Sequence, residues 1–130
     1  MKSHKDLTVY KDSIQFVTLI YKKTLGFPHT EQFGLTNQIR RSAVSIPSNI
    51  AEGAARNHTK ENIQFIHVAL SSASELDAQL EIAMNLEFLE KVEYELLIEK
   101  LNSISKMIQG LLKYQKAKLN SHPLLRPEKK

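Results

Sequence analysis

Apolar residues recur along this chain at spacings of three and four, the period of an amphipathic helix, in four successive segments. In the first, Leu7, Tyr10, Ile14, Val17, Ile20 with Tyr21, and Thr24 form the stripe, with Asp6 before it as an N-cap. Gly26-Phe27-Pro28 ends the run, since Gly terminates helices and Pro disfavours helical geometry at the preceding residue. After a linker from His29 to Gly34, the second segment aligns Leu35, Ile39, Ala43, Ile46, Ile50 and Ala54. Pro47 lies inside it and removes one backbone hydrogen bond, at about 3 kcal/mol where nothing compensates. Two short helices are the alternative, but the stripe keeps its phase across Pro47, so one helix kinked at the proline is expected. The third segment opens at Thr59 as N-cap and carries Ile63, Ile66, Ala69 with Leu70, Ala73, Leu76, Leu80 and Ala83 with Met84. This approximates a heptad seam with many small inward residues that allow close helix approach. The fourth holds Val92, Leu97, Leu101, Ile104, Ile108, Leu111 and Tyr114. Beyond Lys118 the phase is lost, and residues 119–130 read as an exposed tail.

No segment alternates apolar and polar residues as a strand does. Four long amphipathic helices with short connections predict an all-α fold, an up-down-up-down antiparallel four-helix bundle spanning residues 1–118 as one domain. The length of 130 residues with 42% hydrophobic and 25% charged residues agrees with a single core. Without cysteine there is no disulfide framework, thiolate metal site or thiol nucleophile. No secretory leader or membrane-length apolar run is visible, which makes the cytoplasm the expected location.

Chemistry is sparse. The Glu-x-x-His pair of di-iron bundles is absent, since none of the five histidines has Asp or Glu three residues before it. His67 reads as an ordinary helix histidine. Glu75, Asp77 and Glu81 are a carboxylate cluster, but Glu75 and Asp77 stand about 200° apart on a helix, as a solvated acidic face does. Ser71, Ser72 and Ser74 have no histidine beside them, and the isolated glycines form no phosphate-cradling loop. No enzyme activity, cofactor, metal or small-molecule substrate is expected.

The second helix is more informative. Gln38, Arg41, Ser45, Asn49, Glu52 and Arg56 share a polar stripe beside the apolar one, with Glu52 and Arg56 in the favourable order for an ion pair. A third arc holds Val44, Ala51 and Ala55, with Arg40 at its edge. This helix is therefore small or apolar over more than the arc its own bundle needs. A well-covered helix explains the excess; so does a second subunit packing there, with Val44, Asn49, Ala51, Glu52 and Ala55 as the interface.

The run Phe33-Gly34-Leu35-Thr36-Asn37-Gln38-Ile39-Arg40-Arg41-Ser42-Ala43-Val44-Ser45-Ile46-Pro47-Ser48-Asn49-Ile50-Ala51-Glu52-Gly53 closely resembles a family signature. The family is that of bacterial four-helix bundle proteins named for products encoded in intervening sequences of large-subunit ribosomal RNA genes. The likeness extends from about Tyr10 to Tyr114, through Phe27-Pro28, Phe65-Ile66-His67-Val68-Ala69 and Leu111-Leu112-Lys113-Tyr114. It implies a ring-shaped homopentamer without enzyme activity. A related member, the accessory protein of diversity-generating retroelements, binds nucleic acid and a reverse transcriptase through a basic surface. Two departures stand out. Ala54 and Ala55 follow Ala-Glu-Gly where the family often has an aromatic residue or glycine. A glycine usual in the turn between helices 3 and 4 is replaced around Glu87, which is expected to lengthen helix 3.

Charge adds a map of partners. The net charge is +4 and the pI about 9.3. Residues 59–88 are net acidic while both ends of the chain are basic. Arg40, Arg41 and Arg56, with Lys113, Lys116 and Lys118, are the candidate contacts to RNA, DNA or a nucleic-acid-processing protein, or else to a neighbouring subunit. In a ring, five copies carry about +20, enough to bias the assembly toward polyanions. A purely structural or protein-binding scaffold is the alternative.

Overall fold

The computed structural model describes residues 3–121. Four helices carry the fold: α1, Thr8–Thr24; α2, Leu35–Ala54; α3, Thr59–Asn85; and α4, Lys91–Ser121. A 3-10 turn at His4–Asp6 precedes α1, and another at His29–Glu31 lies in the connection to α2. Packing follows chain order around a square, α1 on α2, α2 on α3, α3 on α4 and α4 back on α1; among the described residues the backbones of diagonal helices stay apart and only their side chains share the core. The connections at Gly26–Gly34 and Leu86–Glu90 meet at one end, where Phe27 and Phe88 rings lie 5.6 Å apart. At the other end the α2–α3 link, the start of the described chain and the last turns of α4 line one cavity. Successive helices therefore run in opposite directions, as short links require.

Most of the core follows the sequence pattern. Ile39, Ala43, Ile46 and Ile50 of α2 are buried against Ile66, Ala73, Leu76 and Leu80 of α3 and Leu97, Leu101, Ile104 and Ile108 of α4. Helix α2 is continuous across Pro47, so the two-helix alternative falls.

Helix α1 departs from the expectation. Its core face is Val9, Ser13, Phe16, Ile20 and Thr24, whereas Ile14 and Tyr21 are each 42% exposed. The physical reason lies in the two hydroxyl residues. Ser13 Oγ donates to Val9 O at 2.6 Å and Thr24 Oγ1 donates to Ile20 O at 2.8 Å. Both thereby satisfy themselves inside their own helix and bury at little cost. The sequence stripe holds Ile20 and Thr24 but has no place for Ser13, and it takes in Ile14 and Tyr21 instead. Val92 and Tyr114 of α4, also read as inward, are exposed.

The ends differ too. Leu7, not Asp6, occupies the α1 N-cap position, and Asp6 belongs to the preceding turn, where Ser3 Oγ accepts from Lys5 N. His58 precedes α3 in extended geometry and makes no side-chain cap bond, so Thr59 is the first helical residue rather than the cap. Helix α3 is not lengthened at Glu87. It ends at Asn85, and Glu87 takes the left-handed conformation at φ 63°. Glu87 N donates to Met84 O and Phe88 N to Ala83 O, both at 2.9 Å, the paired bonds of a Schellman stop. At the C-terminus α4 continues through Ser121 with Leu119 buried, and residues 122–130 of the expected tail lie outside the described residues.

Candidate functional site

The six cationic residues singled out by sequence do not form one patch. Arg40 is committed to α1: its Nε donates to Thr24 Oγ1 at 2.9 Å and its Nη2 to Tyr21 O at 3.4 Å, with the guanidinium 4.6 Å from the Tyr21 ring centroid. It neutralises the carbonyl-rich end of α1 and is a structural clamp between two helices. Arg41 is exposed and lines a groove of about 540 Å³ between α2 and α3, with Gln38, Ser45, Ser72, Glu75 and Gln79. Ser45 and Ser72 hydroxyls meet at 2.7 Å across this seam. Gln79 is buried, and its Oε1 has no hydrogen-bond partner among the described residues.

Arg56 and Lys118 do converge. Both line the cavity at the α2–α3 end of the bundle, although Arg56 also donates from Nη2 to Glu52 Oε2 at 3.2 Å and lies 4.9 Å over the Phe65 ring. Lys113 and Lys116 are exposed, but they stand roughly 140–160° around α4 from Lys118 and serve another face.

The five interface candidates on α2 split as well. Val44 and Ala51 lie on the α1 side, in an outward groove of about 240 Å³ with Tyr10, Ile14, Val17 and Pro47. Ala55 is exposed on the same helical line one turn beyond Ala51. Asn49 belongs to the α3 side, where its Nδ2 donates to Ser45 O at 2.8 Å and Ser45 Oγ at 2.9 Å. Glu52 is the partner of Arg56.

The outward α1 stripe joins the α2 groove into one apolar face. Tyr10, Ile14 and Val17 stand beside Val44, Pro47 and Ala51; Tyr10 and Val17 also pack against the core and Pro47 is buried, while Ile14 and Val44 stay 42% and 38% exposed. Apolar surface gathered this way marks an interaction site rather than chance exposure. Sequence reasoning found its α2 half and assigned Ile14 to the core, while Tyr10 and Val17 do pack against the core as expected.

The carboxylates are dispersed. Glu75 faces the α2–α3 groove, whereas Asp77 and Glu81 act on Tyr94 of α4. Burial first, and then those two negative charges, hold the Tyr94 phenol above the usual tyrosine range. Among the described residues no helix is long and apolar enough to cross a membrane.

Comparison with known proteins adds the family. No curated protein matches the chain. Its structure is similar to that of a Bacteroides thetaiotaomicron VPI-5482 protein of unknown function from the S23 ribosomal protein family, at TM-score 0.73 and 27% identity over 82% of this chain and 99% of the other. The family model described as 23S rRNA-intervening sequence protein matches residues 5–110, which takes in all of α1, α2 and α3 and most of α4. With the signature run on α2 and a four-helix bundle around it, the chain belongs to the 23S rRNA-intervening sequence protein family.

Proposed function

We propose that this chain is the subunit of a non-enzymatic, cytoplasmic homo-oligomer, a pentamer as the family resemblance implies, that holds RNA or a nucleoprotein partner. The supporting observation is the outward apolar face of α1 and α2. An isolated bundle gains nothing from Ile14 and Val44 in water, while a neighbouring subunit laid over them removes that surface from solvent. Repetition of the Arg56–Lys118 end around a ring then adds weak phosphate contacts by avidity.

A second reading, a scaffold that binds only protein, is favoured by Arg40. That cation is spent on Thr24 and Tyr21 and offers nothing to a phosphate. Light scattering and gel shift separate the two. A mass several times 14.9 kDa together with RNA retardation that fades steeply with salt supports the first reading. Assembly without salt-sensitive binding leaves the second, and a 14.9 kDa particle at micromolar concentration overturns both.

A further inference from the structure

Two helices of the bundle carry a second row of residues on the side away from the core. Lys11, Ile14, Thr18, Tyr21 and Leu25, along α1 and the turn after it, are exposed at alternating spacings of three and four. On α3, Val68, Ser71, Glu75, Ala78 and Ile82 repeat the pattern, also exposed. Such spacing belongs to the seam of a coiled coil, where every member of the row faces a second helix. Inside this chain neither row faces one: Ile14 and Tyr21 are each 42% exposed, Leu25 77%, Val68 46% and Ile82 48%. Arg40 lies over the Tyr21 ring and Ile14 borders the Val44 groove, which leaves the outer side of the α1 row in water.

The rows match one another in length, height and charge. One runs from 11 to 25 and the other from 68 to 82, so each extends over roughly 21 Å of helix. Their height along the bundle follows from the bonds of α2. Arg40 bonds to Tyr21 and Thr24 of α1, and Ser45 bonds to Ser72 of α3. Counted along the antiparallel α2 and α3, this sets Tyr21 and Thr24 level with about residue 77. Ile14 then stands at about residue 69, between Val68 and Ser71, and Leu25 at about residue 80, between Ala78 and Ile82. The charges are opposite: Lys11 lies in the α1 row with Lys22 beside it, and Glu75 lies in the α3 row with Glu81 beside it. All four are exposed and outside the ion pairs of the described residues, and Arg41, which shares a groove with Glu75, does not pair with it.

We propose that the outer row of α3 receives the α1 row of a second copy of this chain, so that subunits join head to tail. Ile14, Tyr21 and Leu25 of one copy then seat on Val68, Ala78 and Ile82 of the next, with Lys22 toward Glu75 and Glu81. The inference rests on the oligomer reading above and adds the surface that its α1–α2 face meets; without such a surface that face meets only itself, in a two-fold dimer. The α1 row borders the α1–α2 side of the square and the α3 row the α2–α3 side. Adjacent sides, roughly 90–110° apart, close a ring of about four or five copies, whereas opposite sides build an open fibre. Equal height removes the axial step that turns a ring into a helix.

The test mixes two full-length variants in sedimentation velocity, Ile14→Asp with Val44→Asp on the α1 side and Val68→Asp with Ile82→Asp on the α3 side. Each alone is expected to run as a 14.9 kDa monomer, because a head-to-tail ring loses every contact with either face. Mixed, they are expected to form a one-to-one dimer, each supplying the face the other lacks. An α3 variant that assembles as the wild type does, or a mixture that stays monomeric, overturns the head-to-tail pairing and leaves the oligomer reading standing. A monomeric wild type, or an α1 variant that still assembles, overturns both. Charge reversal asks the same question without touching an apolar residue. Glu75→Lys with Glu81→Lys is expected to weaken assembly, and adding Lys11→Glu with Lys22→Glu to the same chain is expected to restore it. Reversal on α3 without effect, or without rescue from α1, overturns the pairing.

Discussion

Toward α3, helix α2 presents Ser45, Asn49 and Gly53, and each is used up inside the molecule: Ser45 bonds to Ser72, Asn49 bonds to Ser45, and Gly53 lets the α3 backbone come close. Toward α1 the same helix presents Val44 and Ala51, which stay exposed and half-buried beside Ile14 and Val17, with Pro47 buried between them. The small residues of the first side serve the fold, and the apolar residues of the second exceed what the fold uses. Excess apolar surface on an otherwise closed bundle is where a partner belongs. The two flanks of one helix thus separate intrachain packing from the surface assigned to assembly.

The sharpest way to break this comparison is to enlarge one residue on each flank. A Cβ at Gly53 meets Asn62 Oδ1 at 2.6 Å, Phe65 Cβ at 3.0 Å and Asn62 O at 3.2 Å. Gly53→Val is expected to cost about 3 kcal/mol in urea unfolding by overpacking, whereas Ala51→Val changes monomer stability by under about 0.5 kcal/mol. Equal losses at both positions would erase the distinction. Next in size is the Arg40 clamp. Arg40→Gln loses the Thr24 bond and the Tyr21 ring contact and is expected to lower stability by about 1.5 kcal/mol; the same loss of RNA binding with no loss of stability would return Arg40 to the surface contacts. Glu87→Gly should raise stability by about 1 kcal/mol, since the left-handed turn that stops α3 penalises any side chain. A thermal shift downward would mean that the Glu87 carboxylate has a role the turn does not show. Smallest is Glu52→Gln, which breaks an exposed i,i+4 pair and costs only about 0.3 kcal/mol.

Where the sequence was legible, side chains declared their own environment. Ile39, Ile46 and Ile50 of α2 and Ile66, Leu76 and Leu80 of α3 are buried as their spacing implies, and the family signature places the chain in its fold. Helix α1 departs at Ile14 and Tyr21, which are exposed, and at Ser13, which enters the core by bonding to its own helix, an option that composition does not reveal. Arg40 reads as a free cation in sequence because its partners sit 16 and 19 residues away on another helix. Arg56 and Lys118 are both candidate cations in sequence, but their meeting at one cavity with Tyr114 is a consequence of the fold. Lys113 and Lys116, adjacent to Lys118 in sequence, turn away from it by helical geometry alone.

The central claim is that the outward α1–α2 face holds copies of this chain together, and sedimentation velocity on the wild type and on an Ile14→Asp, Val44→Asp variant tests it most directly. Both residues are exposed, at 42% and 38%, so the charged variant is expected to keep its helical circular dichroism. The account predicts a wild-type particle several times heavier than 14.9 kDa and a variant that sediments as a 14.9 kDa monomer. A variant that assembles as the wild type does, or a wild type that is itself monomeric at micromolar concentration, would contradict it.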